Sequence, residues 1–490
     1  MKLIFTYLNS CGWLAVFLAT QLFNNIALAT GNDERVVDES SICIEDIPAA
    51  IDRAIDRPEL KRSRWGIEIQ TDTGETIYSK NGNQFFTPAS SAKLLVTAAA
   101  LSSLGADYRL ATPVFAVGEP PHLTSLRLKG KGDPTVSTKT LKHLVHQLQA
   151  LGVEKIDELI IDDSYFDAPA INPTWEWLDV HSYFATAANS TILNQNAVTL
   201  TLLPQKPQQP VKYYWSDAIA GRQWQVINRG TTGAKDLPYN IEIDGDLGKP
   251  VLKIRGELAI NETPDIWDLA VVDPANYFLE SLRSQLTRSG ITVVRGRVTQ
   301  ENEQGELEQQ LLTIPSPAIA QIITEINQAS NNLYAEALAR VLAKKLDTED
   351  PISAIEQSLS KLGIDGTEYI LVDASGLSRQ NLLAPQTIVK LLNLMSQNSE
   401  LDSKVYRESL AVAGVSGTLK NRFRHTVVEN NFWGKTGTLT GIGSLSGYLL
   451  TPSQSTIYLS IIVNNSDLTS RQIRQAIDRV VKVLNHIKQC

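Results

Sequence analysis

The strongest chemical signal in the sequence is a serine followed three residues later by a lysine, Ser90 and Lys93. Residues three apart lie on one face of a helix, so the hydroxyl and the amine can meet. The residues from Leu94 to Leu101 are mostly apolar, which predicts a buried helix that ends before Gly105. Burial disfavours an ammonium group, so Lys93 could act as a base near neutral pH and activate Ser90 as a nucleophile. The alternative is a helix-capping serine beside a surface lysine, but the apolar neighbours favour the functional pair.

A second polar stretch, from Ser330 to Asn332, follows a helical pattern that runs from Ala318 to Ile326. The hydroxyl of Ser330 could relay a proton, and the amide of Asn332 could bind both a lysine amine and a carbonyl group. Taken alone, this stretch also fits a polar connector between two helices.

A third stretch, Lys435-Thr436-Gly437-Thr438, stands at the start of a predicted strand. Lys435, Thr436 and Thr438 present a cation and two hydroxyls to an anionic group, and Gly437 lets a substrate backbone approach closely. A plain strand-entry turn is the alternative for this stretch. The three stretches in this order, rather than any one of them, predict a site for nucleophilic catalysis.

Both ends of the chain predict strands and one amphipathic helix each. The predicted strands are Trp65–Gln70, Thr76–Ser79, Trp433–Leu439, Ser444–Leu450 and Thr456–Val463, and the predicted helices are Cys43–Ile55 and Arg471–Gln489. An apolar helix face must pack on another layer. The simplest arrangement is one antiparallel sheet built from both ends, with the two terminal helices side by side on one face. We expect an α/β (α+β) domain from residues 30–107 and 313–490.

The middle of the chain, residues 108–312, has a different pattern. Short β-like runs dominate it, interrupted by helical patterns over Thr138–Leu151 and Pro274–Ser289. We interpret it as an inserted β-rich region, expected to form two subdomains.

Composition narrows the classes of function. Hydrophobic residues make up 43% of the 490 residues and charged residues 20%, which is typical of a globular protein. The net charge of −8, without long basic runs, argues against a nucleic-acid-binding protein. The three cysteines and six histidines form no close cluster, which leaves little material for a structural zinc site.

The N-terminus has the pattern of a secretory signal peptide over residues 1–29. An apolar run from Trp13 to Phe23 precedes Ala27-Leu28-Ala29, which predicts cleavage before Thr30. A retained membrane anchor is the alternative. Cleavage would leave Cys43 and Cys490, which the shared sheet would bring close, so we expect them to form a disulfide in an exported protein. The expected location is the bacterial periplasm.

The motifs closely resemble those of D-alanyl-D-alanine carboxypeptidases/endopeptidases of the penicillin-binding protein 4 type. The resemblance covers nearly the whole mature chain, including the long interval between Ser90 and Ser330, in which that family carries β-rich insertions. Further matching stretches are Gly130-Lys131-Gly132-Asp133-Pro134, Asp373-Ala374-Ser375-Gly376-Leu377-Ser378 and Gly414-Val415-Ser416-Gly417-Thr418-Leu419. The resemblance implies a penicillin-binding/β-lactamase-like transpeptidase fold with an antiparallel sheet flanked by helices.

The resemblance also implies a substrate and a chemistry. The substrates would be peptidoglycan stem peptides ending in D-Ala-D-Ala, and β-lactams would be covalent inhibitors. Ser90 would attack the carbonyl between the two D-alanines, Lys93 would accept its proton, and Asn332 would orient both Lys93 and the substrate. Ser330 and Lys435 would pass a proton to the departing D-alanine. No metal, nucleotide or organic cofactor is implied.

The same resemblance implies how the substrate would be held. Lys435, Thr436 and Thr438 would bind its terminal carboxylate, and the backbone N–H groups of Ser90 and Thr438 would form an oxyanion hole. Asp162 aligns with an acidic position that can face the side-chain amine of a diaminopimelate stem peptide. The alternative for Asp162 is a solvated acidic end of a strand.

Two other functions compete with the peptidase. A β-lactamase would need a short loop supplying a deacylating glutamate, and the interval of 240 residues between Ser90 and Ser330 disagrees with that compact plan. A non-catalytic wall-binding protein would not need Ser90, Lys93 and Lys435 together. The balance of carboxypeptidase and endopeptidase activity, the oligomeric state and a peripheral association with membranes are left open by the sequence.

Overall fold

The N-terminal part of the chain forms a short strand, a helix and a hairpin before the helix that follows Ser90. This computed structural model describes residues 42–167, 169–246, 248–303, 307–397, 403–453, 455–484 and 486–488. The first elements are β1 (Ile42–Cys43), α1 (Ile47–Ile55), β2 (Arg64–Thr71), β3 (Thr76–Lys80) and α2 (Lys93–Leu104). The predicted signal peptide lies outside the described residues.

The middle of the chain is rich in short strands, as its sequence pattern predicts. Its elements are β4 (Ala111–Glu119), β5 (His122–Lys129), α3 (Thr138–Ala150), β6 (Lys155–Asp162), β7 (Ala197–Leu203), β8 (Lys212–Trp215), α4 (Ala218–Gly221), β9 (Gln225–Asn228), β10 (Thr231–Gly233), β11 (Glu242–Gly245), β12 (Val251–Arg255), β13 (Glu257–Ala259), β14 (Asp265–Ala270), α5 (Pro274–Arg288), β15 (Thr292–Thr299) and β16 (Gln309–Pro315).

The C-terminal part returns to longer helices and then to the strands of a large sheet. Its elements are α6 (Ile319–Gln328), α7 (Asn332–Leu346), α8 (Pro351–Lys361), β17 (Tyr369–Ile370), β18 (Leu382–Leu383), α9 (Pro385–Gln397), α10 (Ser403–Glu408), β19 (Ala411–Val412), β20 (Phe432–Leu439), β21 (Ile442–Leu450), β22 (Thr456–Asn464), α11 (Ser470–Leu484) and β23 (Ile487–Lys488).

The largest sheet is antiparallel and draws strands from both ends of the chain, in the order β19-β20-β21-β22-β2-β3. Side chains of β22 alternate between two hydrophobic clusters: Leu459 and Ile461 belong to one, Tyr458 and Ile462 to the other. This period of two shows that both faces of the sheet are covered. The predicted mixed fold with an antiparallel sheet between helices is confirmed.

Helices cover the two faces of this sheet. On one face α1 packs against α11, as the two amphipathic patterns predict. On the other face α2, α6, α7, α8 and α9 form a cluster around the apolar residues of α2. Within the part of the chain that the structure describes, every helix is too short or too polar to span a bilayer.

The strands of the middle region form separate sheets around one further hydrophobic cluster. A five-stranded sheet has the order β15-β6-β5-β4-β16, and two three-stranded sheets have the orders β14-β7-β8 and β11-β12-β9. The domain boundaries at residues 107/108 and 312/313, and the division of the insertion into two subdomains, stay predictions.

The two ends of the described chain meet in a short parallel pair of strands, β1 and β23. The helix predicted over Arg471–Gln489 ends at Leu484, because Ile487 pairs with Ile42 instead of continuing the helix. Cys43 is disulfide-bonded. Its predicted partner, Cys490, lies outside the described residues.

Candidate active site

Ser90 lies in a single turn of 3₁₀ helix, Ala89–Ala92, that leads directly into α2. Ala89 has a φ of +49°, a left-handed conformation that alanine adopts only under tertiary constraint. Gly376 packs against this turn so closely that a Cβ there would lie 2.0 Å from the carbonyl oxygen of Ala89. The contact that fixes the Ser90 turn therefore requires glycine at position 376.

Lys93 occupies the first position of α2 and is completely buried. Its Nζ lies 3.0 Å from Ser90 Oγ and 2.6 Å from Asn332 Oδ1, and it also donates a hydrogen bond to the backbone carbonyl of Ser375. Burial lowers the pKa of Lys93 to about 7, although the charges of Asp373 and Glu336 oppose that shift. The amine is thus in contact with the predicted nucleophile, and a substantial fraction of it is unprotonated near neutral pH.

The connector between α6 and α7 supplies Ser330 and Asn332. Ser330 has a φ of +60°, and the next residue, Asn331, caps α7 by accepting the backbone N–H of Tyr334 at 3.2 Å. The cap starts α7 at Asn332, whose Nδ2 donates to the carbonyl of Phe184 at 2.7 Å. The amide is therefore fixed with its oxygen towards Lys93.

Lys435 is a second completely buried lysine in the site. Its Nζ lies 2.7 Å from Ser330 Oγ and 2.9 Å from the carbonyl of Thr436. Burial, and to a lesser extent the nearby charge of Lys93, lower the pKa of Lys435 well below its usual range. The structure thus places a hydroxyl and an amine of the second and third stretches in direct contact.

The outer edge of β20 borders the Ser90 turn. Strand β19 pairs only with Trp433 and Gly434 of β20, and in the described part of the chain no strand pairs beyond them on that side. A Cβ on Gly437 would lie 2.9 Å from both the carbonyl oxygen of Pro88 and the backbone nitrogen of Ser90. The edge from Lys435 onward is therefore available to an extended peptide, directly beside the nucleophile.

The two threonines of the third stretch lie on the same strand. Thr436 Oγ1 donates a hydrogen bond to Thr418 Oγ1 at 2.8 Å. Thr438 is half-buried and stands opposite Gly443 of β21.

Two buried carboxylates next to the site escaped the sequence analysis, which assigned no role to either. Asp373 accepts hydrogen bonds from the backbone of Gly376 and Ser378, each at 2.7 Å, and from Trp175 Nε1 at 2.8 Å. Glu336 accepts the backbone N–H of Ser375 at 2.8 Å. The sequence signal that could have indicated Asp373 is the family-like stretch that contains it. For Glu336 the signal is its position one helical turn after Asn332, which places both side chains on the same face of α7.

Asp162 does not take the predicted substrate-binding position. Its side chain is completely buried, and its carboxylate accepts hydrogen bonds from Arg127 Nη1 at 2.7 Å and from Ser164 Oγ at 2.6 Å. Because these partners occupy the carboxylate and no surface is exposed, a substrate amine has no access to it. The solvated strand end that was the alternative is equally wrong, since Asp162 forms a buried ion pair.

Comparisons with known proteins agree with one another. The sequence model of the D-Ala-D-Ala carboxypeptidase 3 (S13) family matches residues 47–484. A D-alanyl-D-alanine carboxypeptidase of Actinomadura sp. (strain R39) is 30% identical over 461 residues, which cover 89% of this chain and 84% of that protein. The penicillin-sensitive carboxypeptidase A of Dictyostelium discoideum is 28% identical over 459 residues, covering 86% and 87%. The solved structure of penicillin-binding protein 4 from Haemophilus influenzae has the same fold, with a TM-score of 0.78 at 24% identity and coverage of 89% and 98%.

The substitution Gly437→Ala tests the close approach of β20 to the Ser90 turn. The new methyl group would lie 2.3 Å from Ser444 Oγ and 2.9 Å from backbone atoms of Pro88 and Ser90. We therefore expect the rate at which Ser90 reacts with a fluorescent penicillin to fall by about a hundredfold. Gly366→Ala is the matched control, because a Cβ there meets no atom within 4 Å. Thermal unfolding would verify that both variants fold, and a wild-type reaction rate in Gly437→Ala would contradict the proposed contact.

Proposed function

The chain belongs to the D-Ala-D-Ala carboxypeptidase 3 (S13) family, and from that premise we propose that it cleaves peptidoglycan stem peptides between two terminal D-alanines through an acyl-enzyme on Ser90. The family match confirms the resemblance inferred from the motifs. The observation that supports the mechanism best is the buried amine of Lys93, in hydrogen-bond contact with both Ser90 Oγ and Asn332 Oδ1.

Acylation begins when the neutral amine of Lys93 takes the proton from Ser90 Oγ. The oxygen attacks the carbonyl carbon of the penultimate D-alanine and forms a tetrahedral intermediate. The backbone N–H groups of Ser90 and Thr438 face the developing oxyanion. One such donor typically lowers the activation free energy by about 3 kcal/mol. The position of β20 beside the Ser90 turn supports this arrangement.

The leaving amine needs a proton before the C–N bond breaks. Ser330 Oγ gives its own proton to the departing D-alanine and takes one from Lys435 Nζ, with which it is in contact. The proton that Lys93 took from Ser90 makes up this loss, so that acylation consumes no net proton. Water then attacks the ester on Ser90, which releases the shortened peptide and restores the hydroxyl. Lys435, Thr436 and Thr438 hold the terminal carboxylate during the first step, since the negative charge of the substrate favours the ammonium form of Lys435 and the two hydroxyls match the lone pairs of the carboxylate.

The same chemistry cleaves a cross-linked dimer when the leaving amine belongs to a second stem peptide. A β-lactam reacts with Ser90 in the same way, and its ring-opened product keeps the leaving group attached. The family match and the set of groups around Ser90 favour this peptidase over the non-catalytic wall-binding protein considered above.

The substitution Ser90→Ala tests the nucleophile. We expect the release of D-alanine from a stem pentapeptide, the conversion of cross-linked muropeptide dimers and labelling by a fluorescent penicillin to fall together, on the order of a millionfold or to the detection limit. Ser360→Ala, on the exposed side of α8, is the control and should behave as wild type. Persistent turnover in Ser90→Ala would refute the acyl-enzyme on this residue.

The ratio of D-alanine to monomer released by the wild type gives the balance of carboxypeptidase and endopeptidase activity. Rapid hydrolysis of the penicillin by the wild type would instead identify a β-lactamase.

The pH dependence of acylation tests the base. Only the unprotonated amine of Lys93 can accept the proton, and burial lowers its pKa to about 7. The second-order rate constant for acylation by penicillin should therefore rise about tenfold per pH unit below that pKa and level off above it. Stopped-flow measurements from about pH 5 to about pH 9 would show the profile. A rate that stays constant or falls as the pH rises through this range is incompatible with Lys93 as the base.

We further propose that the protein is exported to the periplasm, is processed before Thr30 and carries a Cys43–Cys490 disulfide. The N-terminal pattern supports the first two statements, and the pairing of β1 with β23 supports the third. The intact mass of the exported protein checks all three: it should correspond to a chain starting at Thr30 that has lost two hydrogens relative to the reduced form. Two free thiols or an intact N-terminus would contradict the respective proposal.

A further inference from the structure

Glu336 is a buried carboxylate that the mechanism above does not use. It lies on α7 one turn beyond Asn332, so both side chains are on the same face of the helix. Only 6% of Glu336 is exposed. Its Oε1 accepts the backbone N–H groups of Ala374 and Ser375, at 3.0 Å and 2.8 Å.

These two hydrogen bonds hold the loop segment that carries the carbonyl group on which Lys93 depends. The peptide group of that carbonyl is itself held by Asp373, which accepts the N–H of Gly376 at 2.7 Å. The carbonyl of Ser375 accepts a hydrogen bond from Lys93 Nζ, while the N–H of the same residue is held by Glu336. A neutral amine has only two N–H bonds. When Asn332 Oδ1 and the Ser375 carbonyl accept both, the lone pair of the nitrogen is left for the proton of Ser90.

The charges around Glu336 show why its own charge matters. Arg340 on the next turn of α7 is positive and Lys93 on α2 is positive when protonated, whereas Asp373 in the adjoining loop is negative. Lys435 on β20 adds a second amine next to Lys93. Burial and the charge of Asp373 raise the pKa of Glu336 to about 7, close to that of Lys93. Each group therefore influences the protonation of the other over the same pH range.

We propose that Glu336 is a positioning residue for the base: together with Asp373 it holds the loop segment whose Ser375 carbonyl orients Lys93, and its charge stabilises the ammonium that forms when Lys93 takes the proton of Ser90. The proton moves from Ser90 Oγ to Lys93 Nζ, and Glu336 itself exchanges no proton in that step. This inference rests on the proposed role of Lys93 in the acylation of Ser90.

Two substitutions separate the two parts of the role. Glu336→Gln keeps an oxygen that can accept both backbone N–H groups but removes the charge, whereas Glu336→Ala leaves both donors without their acceptor. Glu356→Gln makes the same chemical change on the exposed side of α8 and is the matched control. The measurement is the second-order rate constant for acylation by a fluorescent penicillin as a function of pH, with thermal unfolding of each variant.

In Glu336→Gln we expect the pH at which the acidic limb meets the plateau to fall by about half a unit, because Lys93 loses the negative charge that Glu336 carries at and above about pH 7. In Glu336→Ala we expect the plateau rate above that limb to fall by about tenfold or more, since the loop that holds Lys93 loses its anchor. Glu356→Gln should match the wild type in both respects.

An acidic limb at the wild-type position in Glu336→Gln, or a wild-type plateau in a folded Glu336→Ala, would overturn the inference. If Glu336→Ala does not fold, the profile of Glu336→Gln decides alone. Acylation of the wild type and of Glu356→Gln at normal rates shows that the proposed function holds whatever the outcome at Glu336. Absence of acylation in both would instead refute the proposed function.

Discussion

The buried amine of Lys93 is the group on which the rest of the site depends. Its hydrogen-bond partners in the described part of the chain come from its own turn, from α7 and from the loop around Ser375. All of them are neutral oxygens. A carboxylate in direct contact would favour the ammonium form and keep the base protonated. With neutral acceptors, the amine is held in place while burial keeps its pKa near neutrality.

The second buried lysine, Lys435, gives proton transfer in the site a direction. Lys93 contacts Ser90, whereas Lys435 contacts Ser330, so each amine is paired with one hydroxyl. Both ammonium forms are disfavoured by burial, and each positive charge disfavours the other. When Lys93 takes the proton of Ser90, its new positive charge therefore makes Lys435 and Ser330 better proton donors. Proton uptake thus precedes proton donation, as acylation followed by release of the leaving amine requires.

Much of the fold was predictable because the apolar residues that a helix or strand buries recur in the sequence with the period of that element. The alternating apolar residues of β22 and the apolar stripe of α11 correspond to faces that contact the core. The prediction that both ends of the chain share one sheet rests on these patterns. The end of α11 was misplaced because Ile487 continues the apolar pattern but uses its backbone to pair with Ile42. Periodicity records which side chains are buried and says nothing about which backbone groups they pair with.

The site was predictable to the extent that its chemistry is in side chains with fixed spacing. Ser90 and Lys93 are three residues apart, and the other two stretches have equally local patterns. The role of Glu336 could not be found in this way, because its partners are backbone N–H groups 38 and 39 residues away, and any residue type supplies those. Asp162 failed for the opposite reason: its position in the sequence fitted, but Arg127 occupies its carboxylate.

The middle of the chain, between α2 and α6, contributes to the site as the sheet does. Trp175 donates to the carboxylate of Asp373, and the carbonyl of Phe184 accepts the amide nitrogen of Asn332. The second contact determines the orientation of that amide, since a nitrogen committed to Phe184 leaves only the oxygen to face Lys93. If Asn332 were reversed, two donors would point at each other and the amine would lose the acceptor that holds one of its hydrogens. The backbone carbonyl of Phe184 therefore determines which way the lone pair of the base can point.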